Sequence, residues 1–90
     1  MKIGLCKGRH EMPVEDYLFP MSINIFDYHD MQERIARKIP FDYKGCVQLY
    51  VTGITTAVVE VIKYCVFHGI TLELMHFNRD TNGYVVQVVC

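Results

Sequence analysis

The sequence predicts a single α/β domain, spanning residues 1–90, whose sheet is mainly parallel and closes on a C-terminal β-hairpin. Three observations carry that prediction. Strand-length apolar runs alternate along the chain with segments of helical spacing. The run at residues 46–51 passes through a Thr/Gly turn into a long apolar segment that ends at Gly69 before a further alternating run, the pattern of a βαβ unit. Asn82-Gly83 then separates two alternating runs, a strong hairpin signal.

The elements follow in order. Residues 2–6 read as a short first strand, followed by the polar loop Lys7-Gly8-Arg9-His10-Glu11-Met12-Pro13. Tyr17-Leu18-Phe19 and Ile23-Asn24-Ile25 are short extended candidates flanking Pro20, which places this part at an edge. Asp30 with Glu33 three residues later resembles a capping box, and Tyr28, Met31, Ile35 and Ile39 recur at helical spacing. Arg34, Arg37 and Lys38 load the last turns of this first helix with cations, and Pro40 stops it.

Residues 46–51 suit a central strand covered on both faces. Residues 57–68 are rich in β-branched side chains, yet they are too many for a typical strand, and Glu60 with Lys63 makes one polar stripe at helical spacing. A largely buried helix is predicted there, with Gly69 in the left-handed position after it. Residues 71–77 and 84–89 form the two arms of the closing hairpin.

Composition narrows the function classes. Ninety residues with 51% hydrophobic content are near the lower limit for a self-sufficient core, and the surplus apolar surface predicts a homodimer or higher homo-oligomer. Nine Lys and Arg against ten Asp and Glu supply no basic field for a long nucleic acid. No apolar run approaches a membrane span and residues 1–5 lack a signal-peptide core, so a cytoplasmic protein is expected. Cys6, Cys46, Cys65 and Cys90 sit in or beside apolar runs, as buried free thiols do.

The segment richest in chemistry is Val51-Thr52-Gly53-Ile54-Thr55-Thr56-Ala57, where a strand turns into a helix. The first N–H groups of a helix lack intrahelical partners and carry the positive end of its dipole, so a phosphate or carboxylate is favoured there. In a parallel sheet, ligands collect at the carboxyl ends of the strands. Lys7, Gly8, Arg9 and His10 after the first strand would therefore face Thr52, Gly53, Ile54, Thr55 and Thr56 across one cleft, a set suited to a phosphodiester. A plainer reading stands beside it, with Thr52 or Thr55 as an N-cap, Gly53 permitting the turn, and Lys7 and Arg9 solvated.

The same residues, followed by an apolar helix, Gly69 and Leu72-Glu73-Leu74-Met75-His76-Phe77, resemble the second ligand motif of CRISPR-associated Rossmann-fold (CARF) domains, a Thr-Gly-Gly-Thr-Lys segment opening a helix. The resemblance spans residues 46–89. It implies a Rossmann-like fold that binds a cyclic oligoadenylate-like second messenger across a two-fold dimer interface, with the loop after the first strand as the other contact. Ile54 departs from the second glycine of that pattern and Thr56 from its lysine. With no effector domain expected, the resemblance implies a phage-type sponge that sequesters an antiviral defence signal, or a single-domain, metal-independent ring nuclease.

For a nuclease, His10 is the candidate base, with Arg9 and Lys7 stabilising charge on the phosphate. Binding alone accounts for the same residues without turnover. His76 reads as a half-buried strand histidine, and Arg79 and Asp80 as hairpin-loop charges. No cofactor or metal is expected: Cys6 and His10 lie at the opposite sheet edge from Cys65 and His68, so they cannot share a zinc ion. Cys6 also lacks the phosphatase arginine six residues on, where Met12 stands. A third possibility is a small inhibitor that docks on a host defence protein through the aromatic and methionine side chains of residues 12–28.

Overall fold

The structure, a computed structural model, describes residues 1–8 and 11–90. Its elements in chain order are β1 (Lys2–Cys6), β2 (Tyr17–Phe19), α1 (Tyr28–Lys38), β3 (Cys46–Tyr50), α2 (Thr55–His68), β4 (Thr71–Asn78) and β5 (Gly83–Val88). The strands form one five-stranded sheet in the order β2-β1-β3-β4-β5. All neighbours are parallel except β4 and β5, which form the C-terminal hairpin.

Alternation along the strands divides the sheet into two faces. On one, Ile3, Leu5, Val47, Leu49, Leu72 and Leu74 pack with Met31, Ile35 and Ile39 of the first helix and Ala57, Val61, Tyr64 and Cys65 of the second, forming the main core. On the other, Tyr50 and Met75 pack with Met12, with Val14, Tyr17 and Tyr84 around them and no helix over them among the described residues. The handedness of crossovers explains this asymmetry. The passages β2-α1-β3 and β3-α2-β4 move the same way across the sheet, so a right-handed path lays both helices on one face. The β1-to-β2 passage moves the opposite way and must cross the other face, where residues 11–16 cross as a loop.

Several local expectations change. Ile23-Asn24-Ile25 is not extended: the Asn24 carbonyl accepts from Asp27 N–H at 3.1 Å and its side chain from Phe26 N–H at 3.0 Å, folding the segment into a turn. The cap of α1 is Asp27, whose carboxylate accepts from Asp30 N–H at 3.1 Å. Asp30 lies inside the first turn, paired with Arg34 at 2.8 Å. The hairpin loop comprises residues 79–82 rather than two residues, because the Asn78 side chain accepts from Asp80 N–H at 2.9 Å and only Asn82, at φ 55°, is left-handed.

Four further corrections concern burial. The helix of residues 55–68 is buried along one face only, with Val59, Val66 and Phe67 exposed. Glu60 belongs to its buried side, 4% exposed, held by Lys63 at 3.2 Å and by the Gln32 amide at 3.1 Å. Strand β3 is covered by helices on one face, and on the other Tyr50 is buried while Cys46 and Gln48 are half-buried. All four cysteines are free thiols, but only Cys6 and Cys65 are buried. Gly69 takes the left-handed conformation expected of it, φ 66°, and its N–H closes the end of α2.

Candidate functional site

The sheet changes direction at β1. From there the chain leaves toward β2 over the bare face, whereas β3 leaves through residues 51–54 toward α2 on the helix face. Between the carboxyl ends of these two neighbours lies the switch point of an open parallel sheet, where crevices form. Gly4 is paired with Tyr50, so continuing that register sets Cys6 level with Thr52. The segments that begin at Lys7 and Thr52 therefore leave the same edge of the sheet from adjacent strands.

The start of α2 is chemically incomplete. Its N-cap is Ile54, which supplies no side-chain hydrogen bond, and the first intrahelical bond is Val58 N–H to the Ile54 carbonyl at 3.2 Å. The plainer reading of Thr52 or Thr55 as the cap is therefore not realised. Instead, Thr52 Oγ1 and Thr56 Oγ1 are inaccessible and have no hydrogen-bond partner among the described residues. Buried polar groups are almost always paired, so two orphaned hydroxyls flanking one turn call for an explanation. No acidic side chain occupies the first turn of α2, in contrast to α1, which carries Asp30 there and Asp27 as its cap.

Gly53 is required neither by backbone conformation nor by packing. Among the described residues, its φ is not among the positive values, and a Cβ built on it meets nothing within 4 Å. Gly8 is the opposite case, with φ 83° and the Met21 Cε only 2.7 Å from an added Cβ. One glycine serves the fold. The other leaves open space beside an uncapped helix start, as a backbone does where a ligand approaches. Ile54 turns its side chain into the main core and anchors the turn from below.

A cleft of about 430 Å³ opens on this turn, lined by Ile25, Gly53, Ile54, Thr55 and Thr56. Beside it, and sharing Thr55 and Thr56, a groove of about 280 Å³ runs between the helices along Tyr28, Val59, Glu60 and Lys63. Lys7 and Gly8 line a different cavity with Glu11, Tyr17 and Met21. Among the described residues, Lys7 and the Thr52 turn thus share a sheet edge and line separate cavities. Arg9 and His10 lie outside the described residues.

Sequence reasoning missed Ile25, Tyr28 and Lys63. Tyr28 shares the helical spacing of Met31, Ile35 and Ile39, but as the first helical residue it is exposed at the edge where α2 also begins. Lys63 could have been found by spacing, since Thr56, Glu60 and Lys63 stand at i, i+4 and i+7 on one helical face. His68 and Cys65 lie near the far end of α2, and no group of three or more His, Cys, Asp or Glu among the described residues could hold a metal ion. His76 faces Gln87 at 2.7 Å on the hairpin. No described helix is long and apolar enough to cross a membrane.

Comparison with protein-family models, with curated proteins and with solved structures finds no match to this chain.

Proposed function

We propose that this protein binds a cyclic oligonucleotide of the cyclic oligoadenylate class at the start of α2 and holds it without turnover, acting in the cytoplasm of a phage-infected bacterium as a sponge for an antiviral second messenger. The observation that carries this reading is the uncapped turn at residues 52–56, with two orphaned threonine hydroxyls beside the open space at Gly53. A phosphodiester oxygen accepts hydrogen bonds and carries charge, so it answers both the free N–H groups and the helix dipole. Rotation of Thr52 and Thr56 about χ1 would turn their hydroxyls toward it, and the Rossmann-like placement at a sheet switch point fits such a pocket.

The adjoining groove favours a nucleotide over inorganic phosphate. Tyr28 and Val59 offer a flat apolar wall of the kind on which a base stacks, and at its end the exposed Lys63 ammonium, paired with Glu60 at 3.2 Å, keeps donors free for a phosphate. The missing lysine of the CARF pattern is thereby replaced from two turns further along the same helical face. Binding needs no group beyond these donors, so sequestration without cleavage is the simpler chemistry.

The deciding experiment mixes purified protein with a panel of cyclic oligonucleotides, follows the thermal midpoint, then denatures the complex and identifies what is released. A ligand at about 100 times its dissociation constant adds about 2.7 kcal/mol, enough to be read as a shift in midpoint. Intact ring recovered at one equivalent per site or less supports sequestration. Linear products that accumulate beyond one per site would replace it with a ring nuclease and turn attention to His10. No shift with any member of the panel would overturn the ligand reading.

A further inference from the structure

The two edges of the sheet are built differently. Strand β2 is three residues long, is followed by Pro20, and has the Asp16–Lys38 ion pair at 2.9 Å beside its start. Short length, proline and charge are the means by which proteins keep an edge from pairing with another strand. At the opposite edge, β5 reads Gly83-Tyr84-Val85-Val86-Gln87-Val88, with neither a charge nor a proline. Its valines are exposed on both faces: Val85 52%, Val86 48% and Val88 70%.

The register shows which backbone groups that edge offers. Val89 N–H donates to the Leu72 carbonyl at 2.9 Å, so alternation turns the N–H and C=O of Gln87, Val85 and Gly83 toward β4. Those of Val88, Val86 and Tyr84 then point outward, and among the described residues no strand lies beyond them. Three evenly spaced donor and acceptor pairs centred on Val86 are self-complementary about a two-fold axis. Val86 meets its own copy as a hydrogen-bonded pair, and Tyr84 meets Val88 on either side.

We infer that β5 pairs antiparallel with β5 of a second copy of this chain, about a two-fold axis through Val86. A second copy is the occupant because the register closes on itself, and because an uncharged seam places no like charges opposite one another. The axis runs normal to the sheet and keeps the faces aligned, so Val86 meets Val86 and Tyr84 meets Val88 on the face away from the helices, and Val85 meets Gln87 on the other. The strands of the second copy run in the reverse direction. The two α2 starts therefore lie at opposite edges of the joined sheet, and each copy must hold a ligand by itself rather than share a ring across the axis.

The test is the mass of the full chain in solution by sedimentation equilibrium. The native protein should show twice the 10.5 kDa of one chain. Val86→Pro removes an outward N–H while leaving the β4 ladder intact, a position where an edge strand tolerates proline; it should be a folded monomer. Should that variant fail to fold, V86K/V88K keeps every N–H and sets ammonium groups along the seam, and it should likewise be monomeric with an unchanged far-UV spectrum. In a Cys90→Ser background, Val86→Cys should give a disulfide-linked dimer on mild oxidation. A native monomer at the highest soluble concentration would overturn the inference, as would a dimer that persists in both the proline and the double-lysine variant.

Discussion

The Tyr64 hydroxyl donates to the Ile39 carbonyl at 2.6 Å, joining the middle of α2 to the residue that ends α1. Both groups are buried, and Ile39 is also the C-cap whose N–H reaches back to Ile35. The helices thus meet at a polar tie within an apolar interface.

Removing the hydroxyl should be costly because the carbonyl cannot turn to water. Tyr64→Phe keeps the ring and its contacts, so the loss isolates the unsatisfied acceptor, about 1–3 kcal/mol. Urea unfolding should show a lower midpoint with an unchanged slope. A midpoint equal to that of the native protein would mean the carbonyl finds another donor.

Burial pushes the Cys65 thiol up from 9.0 to about 11, with the nearby Cys90 adding to it. The folded state therefore holds this proton more tightly than the unfolded chain does. Its stabilising effect is complete below pH 9 and is lost as pH rises toward 11. Cys65→Ala should be less stable at neutral pH, through the small cavity it leaves, yet should lose less stability across that alkaline window. Thermal midpoints taken through the window would check the slope, which a purely steric role would leave unchanged.

At the acid side, the hydrogen bond from Lys38 and the Tyr17 N–H hold the Asp16 carboxyl below its usual range. A depressed carboxyl stabilises the fold above its unfolded pKa and loses that effect as pH falls through the folded one. Asp16→Asn should therefore be less stable than the native protein at neutral pH, and the two should converge in strong acid. The difference should also shrink in high salt, because both side chains are partly exposed.

What was legible in the sequence follows from range. The strands at residues 2–6 and 17–19, and the glycine that ends α2, depend on local alternation, proline and backbone conformation, and these stand as expected. Asp27 was overlooked as a cap because Asp30 and Glu33 offered the same signal three residues later. The burial of Glu60 could not be read locally, since its partner Gln32 comes from the other helix. The bare sheet face was equally hidden: it arises because Met12, rather than a helix, covers Tyr50 and Met75. At the site, the turn was visible as a motif. The groove was not, because Tyr28 reaches it only when both helices begin at one edge of the sheet.

Gly53 separates the needs of the fold from those of a ligand. Since an added Cβ meets nothing within 4 Å, Gly53→Ala should leave the thermal midpoint of the free protein unchanged or slightly raised. The methyl group would nonetheless stand in the cleft that Gly53 lines, so the midpoint shift with a cyclic oligonucleotide should shrink. Equal shifts in variant and native protein would show that the ligand does not approach this backbone.

Thr52 and Thr56 give the sharper contrast, because for them stability and binding should move in opposite directions. A hydroxyl buried without a partner costs about 1–3 kcal/mol, and valine has nearly the shape of threonine without that group. Thr52→Val and Thr56→Val should therefore be neutral or more stable than the native protein when no ligand is present. With ligand present they should lose the hydrogen bonds that the hydroxyls would otherwise make, and calorimetric titration should show weaker binding, about 10-fold per hydroxyl for 1.4 kcal/mol. A structural role would give the reverse pattern, with a lowered midpoint and unaltered affinity. A stabilising substitution that removes binding would place both threonines at a site maintained at the expense of the fold.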